Sequence, residues 1–201
     1  MDRIEAVLKH VDGPVVLDLG GVQHDLENRY NADWLHAHLT KKFERVVGVD
    51  YLEGAVVELN KAGYEFIHAN VETMALDLEA DTVVAGELIE HVSNPGLMLD
   101  RIADHLRPGG RLIITTPNPW YVYHIKAWLR GGLTVNGEHV AWFGPTVLRQ
   151  LLGRHGFDVR SIVPTSDWKL GPLAKAIRPF ANGIFLASTW VCVAEYRGGT
   201  Q

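Results

Sequence analysis

Five short apolar runs, each separated from the next by a longer amphipathic stretch, constrain this chain more than any other feature. They are Val15-Val16-Leu17-Asp18-Leu19, Arg45-Val46-Val47-Gly48-Val49, Glu65-Phe66-Ile67-His68, Thr82-Val83-Val84-Ala85 and Leu112-Ile113-Ile114-Thr115-Thr116. Runs of this length, rich in branched residues and closed by turn formers such as Gly20-Gly21, read as strands buried on both faces. The stretches between them carry the helical period. In Trp34–Lys42 the apolar face is Trp34, Leu35, His38 and Leu39; Glu53–Ala62 stops at Gly63, and Leu97–Leu106 follows the fourth run. Strands alternating with helices predict a parallel sheet with helices on both faces.

After the fifth run the rhythm changes. Pro117-Asn118-Pro119 offers an N-cap Asn followed by Pro at the first helical position, which predicts a helix Trp120–Arg130 closed by Gly131-Gly132. A loop over 133–143, a helix Pro145–His155, a sixth strand Phe157–Val163 and a seventh, Ser188–Tyr196, complete the reading. A chain of 201 residues suits one domain, residues 1–201, with two insertions at about 117–142 and 164–187. The first insertion holds Trp120, Tyr121, Tyr123 and Trp128, followed by Trp142 and Phe143, and Trp120, His124 and Trp128 fall on one helical face. Such a cluster suits a lid over an acceptor, with Trp120, Tyr121 and Trp142 touching it, or a homodimer contact.

Charge is divided along the chain. Residues 1–106 carry 8 Lys and Arg against 20 Asp and Glu, and residues 107–201 carry 11 against 4. The basic half suits a solvated face or an anionic partner. No nucleic-acid motif accompanies it, so nucleic acid is not favoured. Cys192 is the single cysteine, which excludes a disulfide framework and a thiolate metal site. No apolar run is long enough to span a membrane, and Met1–His10 has no signal-peptide core, so the expectation is a cytoplasmic protein.

In an open parallel sheet, ligands bind beyond the carboxyl ends of the strands. Those ends carry Asp18, Gly20 and Gly21 after the first run, Asp50 after the second, Asn70 and Glu72 after the third, and Glu87, Glu90 and His91 after the fourth. Glycines let backbone N–H groups approach a ligand, and a carboxylate ending the second strand can accept both hydroxyls of a ribose. A dinucleotide-binding dehydrogenase shares this plan but wants G-x-G-x-x-G. Gly20-Gly21-Val22-Gln23-His24-Asp25 fails that pattern at its third and sixth positions.

Val16-Leu17-Asp18-Leu19-Gly20, Val47-Gly48-Val49-Asp50, Ala69-Asn70-Val71-Glu72, Glu87-Leu88-Ile89-Glu90-His91 and Leu106-Arg107-Pro108-Gly109-Gly110-Arg111-Leu112 together resemble the successive motifs of class I S-adenosylmethionine-dependent methyltransferases. Residues 135–157, with Glu138-His139, Phe143, Leu148 and Gly156-Phe157, resemble the later segment of the small-molecule branch. The resemblance covers roughly residues 12–163. It implies a Rossmann-like, mostly parallel seven-stranded sheet in the order 3-2-1-4-5-7-6, with strand seven antiparallel. It implies S-adenosylmethionine as cofactor, with Asp18, Gly20 and Gly21 at its methionine portion and Asp50 at the ribose. Tyr51 or Leu52 would flank the adenine, Asn70 and the Val71 N–H would meet its edge, and Glu87 would lie where sulfonium and acceptor meet.

Two positions depart from the family pattern. Its GxGxG glycines beyond Gly20 are replaced, so the loop must take another shape and His24 is expected to point into the pocket. Asn70 stands where an Asp is frequent. Transfer to a hydroxyl also needs proton removal, for which His139, His91 and Glu87 are the candidates. Glu87, His91 and His139 could hold a divalent ion such as Mg²⁺, but no regular ligand spacing favours a metal. The expected reaction is O-methylation of a saccharide or glycan hydroxyl. The alternatives are O- or C-methylation of a quinone- or polyketide-like molecule, and a non-catalytic cofactor-binding partner.

Overall fold

The computed structural model describes residues 2–132, 136–165 and 183–198. Seven strands form one sheet: β1 Val15–Leu19, β2 Arg45–Asp50, β3 Glu65–His68, β4 Ala80–Gly86, β5 Leu106–Pro117, β6 Phe157–Thr165 and β7 Thr189–Tyr196. Their order is β3-β2-β1-β4-β5-β7-β6. The first five strands pair in parallel, whereas β7 runs antiparallel to both β5 and β6. The expected strand order and the antiparallel seventh strand are both borne out.

Period-two alternation along the strands separates two cores. Val16, Val46, Val84, Ile113 and Val191 point to one face, where Ala6 and Val7 of α1 (Arg3–His10) and Leu35 and Leu39 of α2 (Leu35–Thr40) cover them. Leu17, Val47, Val83, Leu112 and Cys192 point to the other. There α4 (Pro95–Asp104) contributes Met98, Leu99 and Ile102, and α6 (Pro145–Arg154) contributes Leu148 and Leu152. Truncating a fully buried residue such as Leu17 to Ala costs about 2–5 kcal/mol in such a core. A third, smaller cluster packs Val22, Trp34 and Phe66 against Val56 and Leu59 of α3 (Glu53–Lys61) at the β2–β3 edge.

Several local expectations are corrected. Helix α2 is shorter than Trp34–Lys42, and its buried polar residue is His36 rather than His38. Helix α1, capped by the Asp2 side chain, and a 3-10 turn at Leu26–Tyr30 had no counterpart in the sequence reading. Helix α5 spans Val122–Leu129 rather than Trp120–Arg130, and Tyr121 stands at its N-cap. Asn118 does not cap it. That side chain is fully buried, and its Nδ2 donates to the carbonyls of Ile184 and Ala187 (2.6 and 2.8 Å), so it ties β5 to the approach of β7. The insertion expected at 164–187 lies largely outside the described residues.

Candidate active site

Among the described residues, three that are not glycine hold a left-handed backbone: Gln23 (φ 57°), His24 (φ 70°) and Glu87 (φ 50°). All three line one cavity of about 660 Å³ beyond the carboxyl ends of β1, β2 and β4. Such a conformation costs roughly 1–2 kcal/mol outside glycine. It persists where the surroundings over-determine it, and such residues gather at functional sites. Glu87 is held by a forked bond from its N–H to the Thr115 carbonyl (3.1 Å) and hydroxyl (3.0 Å).

Each strand end supplies part of the wall. Gly20, Asp50, Tyr51, Asn70, Val71 and Glu87 line the cavity, as do His24 and His91. Asp50 is almost fully buried; its Oδ2 accepts from the Val22 N–H (3.0 Å) and its Oδ1 from the Leu52 N–H (3.1 Å). Two donors leave a carboxylate further lone pairs for a ligand hydroxyl. The Asn70 side-chain oxygen accepts from the Glu72 N–H (2.9 Å), which shapes the turn after β3.

A histidine cluster stands on the side of the cavity nearest β4. The His24 Nδ1 lies 2.9 Å from Oε2 of Glu138, and the His91 Nδ1 lies 3.8 Å from the same atom. The rings of His24 and His91 meet edge-on at 5.1 Å, and those of His91 and His139 at 4.6 Å. The Val140 N–H donates to the Glu90 carbonyl (2.9 Å), pinning this segment to the loop after β4. Burial first, and the neighbouring histidines second, hold His91 below the usual imidazole value; burial and His24 do the same for His139. Beneath them Glu90 is buried and its Oε2 accepts from the Thr116 hydroxyl (3.0 Å). Burial, and then the charge of Glu87, push its carboxyl up to about 8. Glu90, His91 and His139 each bring a donor atom within 4.8 Å of the others, so a divalent ion would find its ligands here with Glu90, not Glu87, as the carboxylate.

Six expected site residues lie elsewhere. Asp18 turns from the cavity, its Oδ2 2.9 Å from Nδ1 of His36, and Gly21 packs behind the wall against Asp18 and Phe66. His139 stands behind His91 rather than in the wall. Trp120 packs on Trp190 and Gly144, while Tyr121 and Trp142 both meet His124, so these three aromatics do not line the cavity. Arg3 of α1, which no sequence motif singles out, is buried and reaches the cavity beside Gly86, and Asn28 and Asn31 line it from the loop after β1. The missing glycines were the available signal for the loop.

The family model described as a methyltransferase domain matches residues 1–162 of the chain. The chain belongs to the class I S-adenosylmethionine-dependent methyltransferases. Among the curated relatives of this methyltransferase domain, a ubiquinone biosynthesis O-methyltransferase of Nitrobacter winogradskyi is 34% identical over 123 residues, covering 58% of this chain and 44% of that protein. One of the same name from Idiomarina loihiensis is 28% identical over 151 residues, covering 71% and 57%. The chain thus spans about half the length of the curated relatives it matches. Solved structures share the fold. A methyltransferase from Archaeoglobus fulgidus superposes with a TM-score of 0.67 at 16% identity, over 96% of this chain and 91% of that one. Magnesium protoporphyrin IX methyltransferase from Synechocystis, with bound S-adenosylhomocysteine, gives 0.66 at 18%, over 96% and 81%.

The residues present suit this family's cofactor. The Asp50 carboxylate, the Asn70 amide and the Arg3 guanidinium line one cavity. They offer, in turn, an acceptor for ribose hydroxyls, a partner for the adenine edge and a cation for the methionine carboxylate.

Proposed function

We propose that this domain transfers a methyl group from S-adenosylmethionine to a hydroxyl of a small, ring-bearing molecule. The observation that carries the reading is the convergence of Gln23, His24 and Glu87, all strained, with Asp50 and His91 in one cavity. The cofactor supplies an electrophilic methyl on a sulfonium. In the transfer the sulfur–methyl bond breaks, the oxygen–methyl bond forms, and the hydroxyl proton goes to an imidazole nitrogen.

His91 is the base in this reading. It lines the cavity, and its lowered basicity leaves it neutral at neutral pH, with a lone pair to accept the proton. His139 acts behind it by edge contact, and Glu138, in the cavity wall beside it, acts by charge. Such assistance contributes about 10²–10⁴ in rate. Glu87, beside Gly86 at the end of β4, borders the reacting centre.

A quinone-type or phenolic acceptor fits better than the saccharide expected from the sequence. The saccharide expectation leaned on Trp120, Tyr121 and Trp142, which lie outside the cavity wall. Two of the relatives described above carry the name ubiquinone biosynthesis O-methyltransferase. The test is S-adenosylhomocysteine release with separate pools of dihydroxyphenyl compounds and of oligosaccharides. Release with the first pool alone supports the reading. Release with the second alone restores the saccharide, and cofactor binding with no release from any pool favours a non-catalytic partner.

A further inference from the structure

We infer that His36 is a positioning residue for the cofactor loop: it holds Asp18 and Phe66 in the places where they back Gly21, and so supports the loop that forms the cavity wall. The inference rests on the methyltransferase reading above. His36 belongs to α2, outside the cavity, and both it and Asp18 are buried. Its Nδ1 stands 2.9 Å from Asp18 Oδ2, where the carboxylate accepts. Its Nε2 is buried with no hydrogen-bond partner. A buried nitrogen without a partner is destabilising, and a leucine here would avoid that cost. The contact with Asp18 is what the histidine adds.

The surroundings are built around this pair. The Phe66 ring lies against His36, centroids 4.4 Å apart. Phe66 fills space that only glycine leaves: a Cβ on Gly48 would stand 2.3 Å from its ring. A Cβ on Gly21 would stand 3.0 Å from Asp18 Oδ2 and 3.1 Å from Phe66. A side chain at Gly21 would therefore press on this packing. The Trp34 indole N–H donates to the Gly21 carbonyl (2.7 Å), the Gly20 N–H to the Val49 carbonyl (2.8 Å), and the Val22 N–H to Asp50.

Three successive residues are thus pinned, Gly20 by Val49, Gly21 by Trp34 and Val22 by Asp50, while Asp18 and Phe66 back Gly21. Downstream, the Asp25 side chain accepts from the Glu27 N–H (2.9 Å), and the Asn28 amide donates to the Gln23 carbonyl. The chain between these anchors has to pass through left-handed geometry at Gln23 and His24, and His24 is thereby delivered to Glu138 and His91. The family's flexible glycines are replaced here by a strained loop clamped by side chains.

The test is calorimetric titration of S-adenosylhomocysteine into the full chain, with melting temperatures measured alongside. His36→Leu should weaken affinity about tenfold or more. His36→Asn keeps an N–H near the Nδ1 position and should stay within about threefold of wild type, even where the two variants melt alike; a tenfold change corresponds to one lost hydrogen bond to a charged group. Wild-type affinity in the leucine variant, or equal losses in both that follow their melting temperatures, would overturn the inference. Should His36→Leu not fold, His36→Phe keeps a ring against Phe66 while removing Nδ1 and should weaken affinity severalfold, and unchanged affinity there overturns the inference. A wild-type chain that binds no S-adenosylhomocysteine would sink the methyltransferase reading together with this one. Wild-type binding with unaltered variants would sink this one alone.

Discussion

The loops beyond β1–β4 and the helix beyond β5 are built in opposite ways. In the first region Asp50, Asp18, Glu90 and Trp34 are buried and hydrogen-bonded, and three left-handed residues are held in place. In the second, α5 buries none of its residues, and Trp128 and Leu129 are about 70% exposed. A wall that bears strain must be over-determined by its neighbours, whereas a helix with no buried face contributes little to the fold. The first region is built as a ligand-binding wall would be, whereas α5 meets its neighbours mainly through His124, which packs on Tyr121 and Trp142.

His91→Ala should have the largest effect. Turnover should fall about 10²-fold or more while S-adenosylhomocysteine affinity stays within about twofold, as read by calorimetry and single-turnover kinetics. His139→Ala, behind the wall, should cost less. Equal losses would return the base to His139.

Glu90→Gln should come next, and its sign depends on pH. The carboxyl goes from an ordinary 4.5 to about 8 in the fold, so between those values the native state holds a proton that the unfolded chain has released. Stability therefore falls as pH rises through that window. The glutamine keeps an oxygen for Thr116 and removes the buried charge. It should raise the melting temperature above pH 8, by about 2–4 °C per kcal/mol relieved, and leave it unchanged below pH 4.5. A pH-independent effect would contradict the burial of a carboxylate there. The smallest effect should come from Trp128→Ser, which should leave both melting temperature and cofactor affinity unchanged; a large drop in either would give α5 a structural role.

The same division governs what could be read in advance. Strands were legible because continuous apolar runs state their own period, and Asp50, Asn70 and Glu87 were legible because residues at or just past the carboxyl end of a parallel strand face the same crevice. The loop after β1 was not. Its shape is set by Trp34, His36 and Phe66, which come together only when α2 and β3 pack, and no local pattern distinguishes His36 from His38 as the inward residue. Arg3 escaped for the same reason, since α1 reaches the cavity only through the tertiary fold. The aromatic run after β5 misled because it marks apolar surface without saying which way that surface turns.

The most direct test of the account is a titration of S-adenosylmethionine into the wild-type chain and into Asp50→Ala. Saturable binding at one site per chain, at least about tenfold weaker in the variant, is the predicted result; it follows from losing an acceptor for the ribose together with the anchor of Val22 and Leu52. Equal affinity in the two proteins, or no binding by the wild type, would contradict the placement of the cofactor in this cavity.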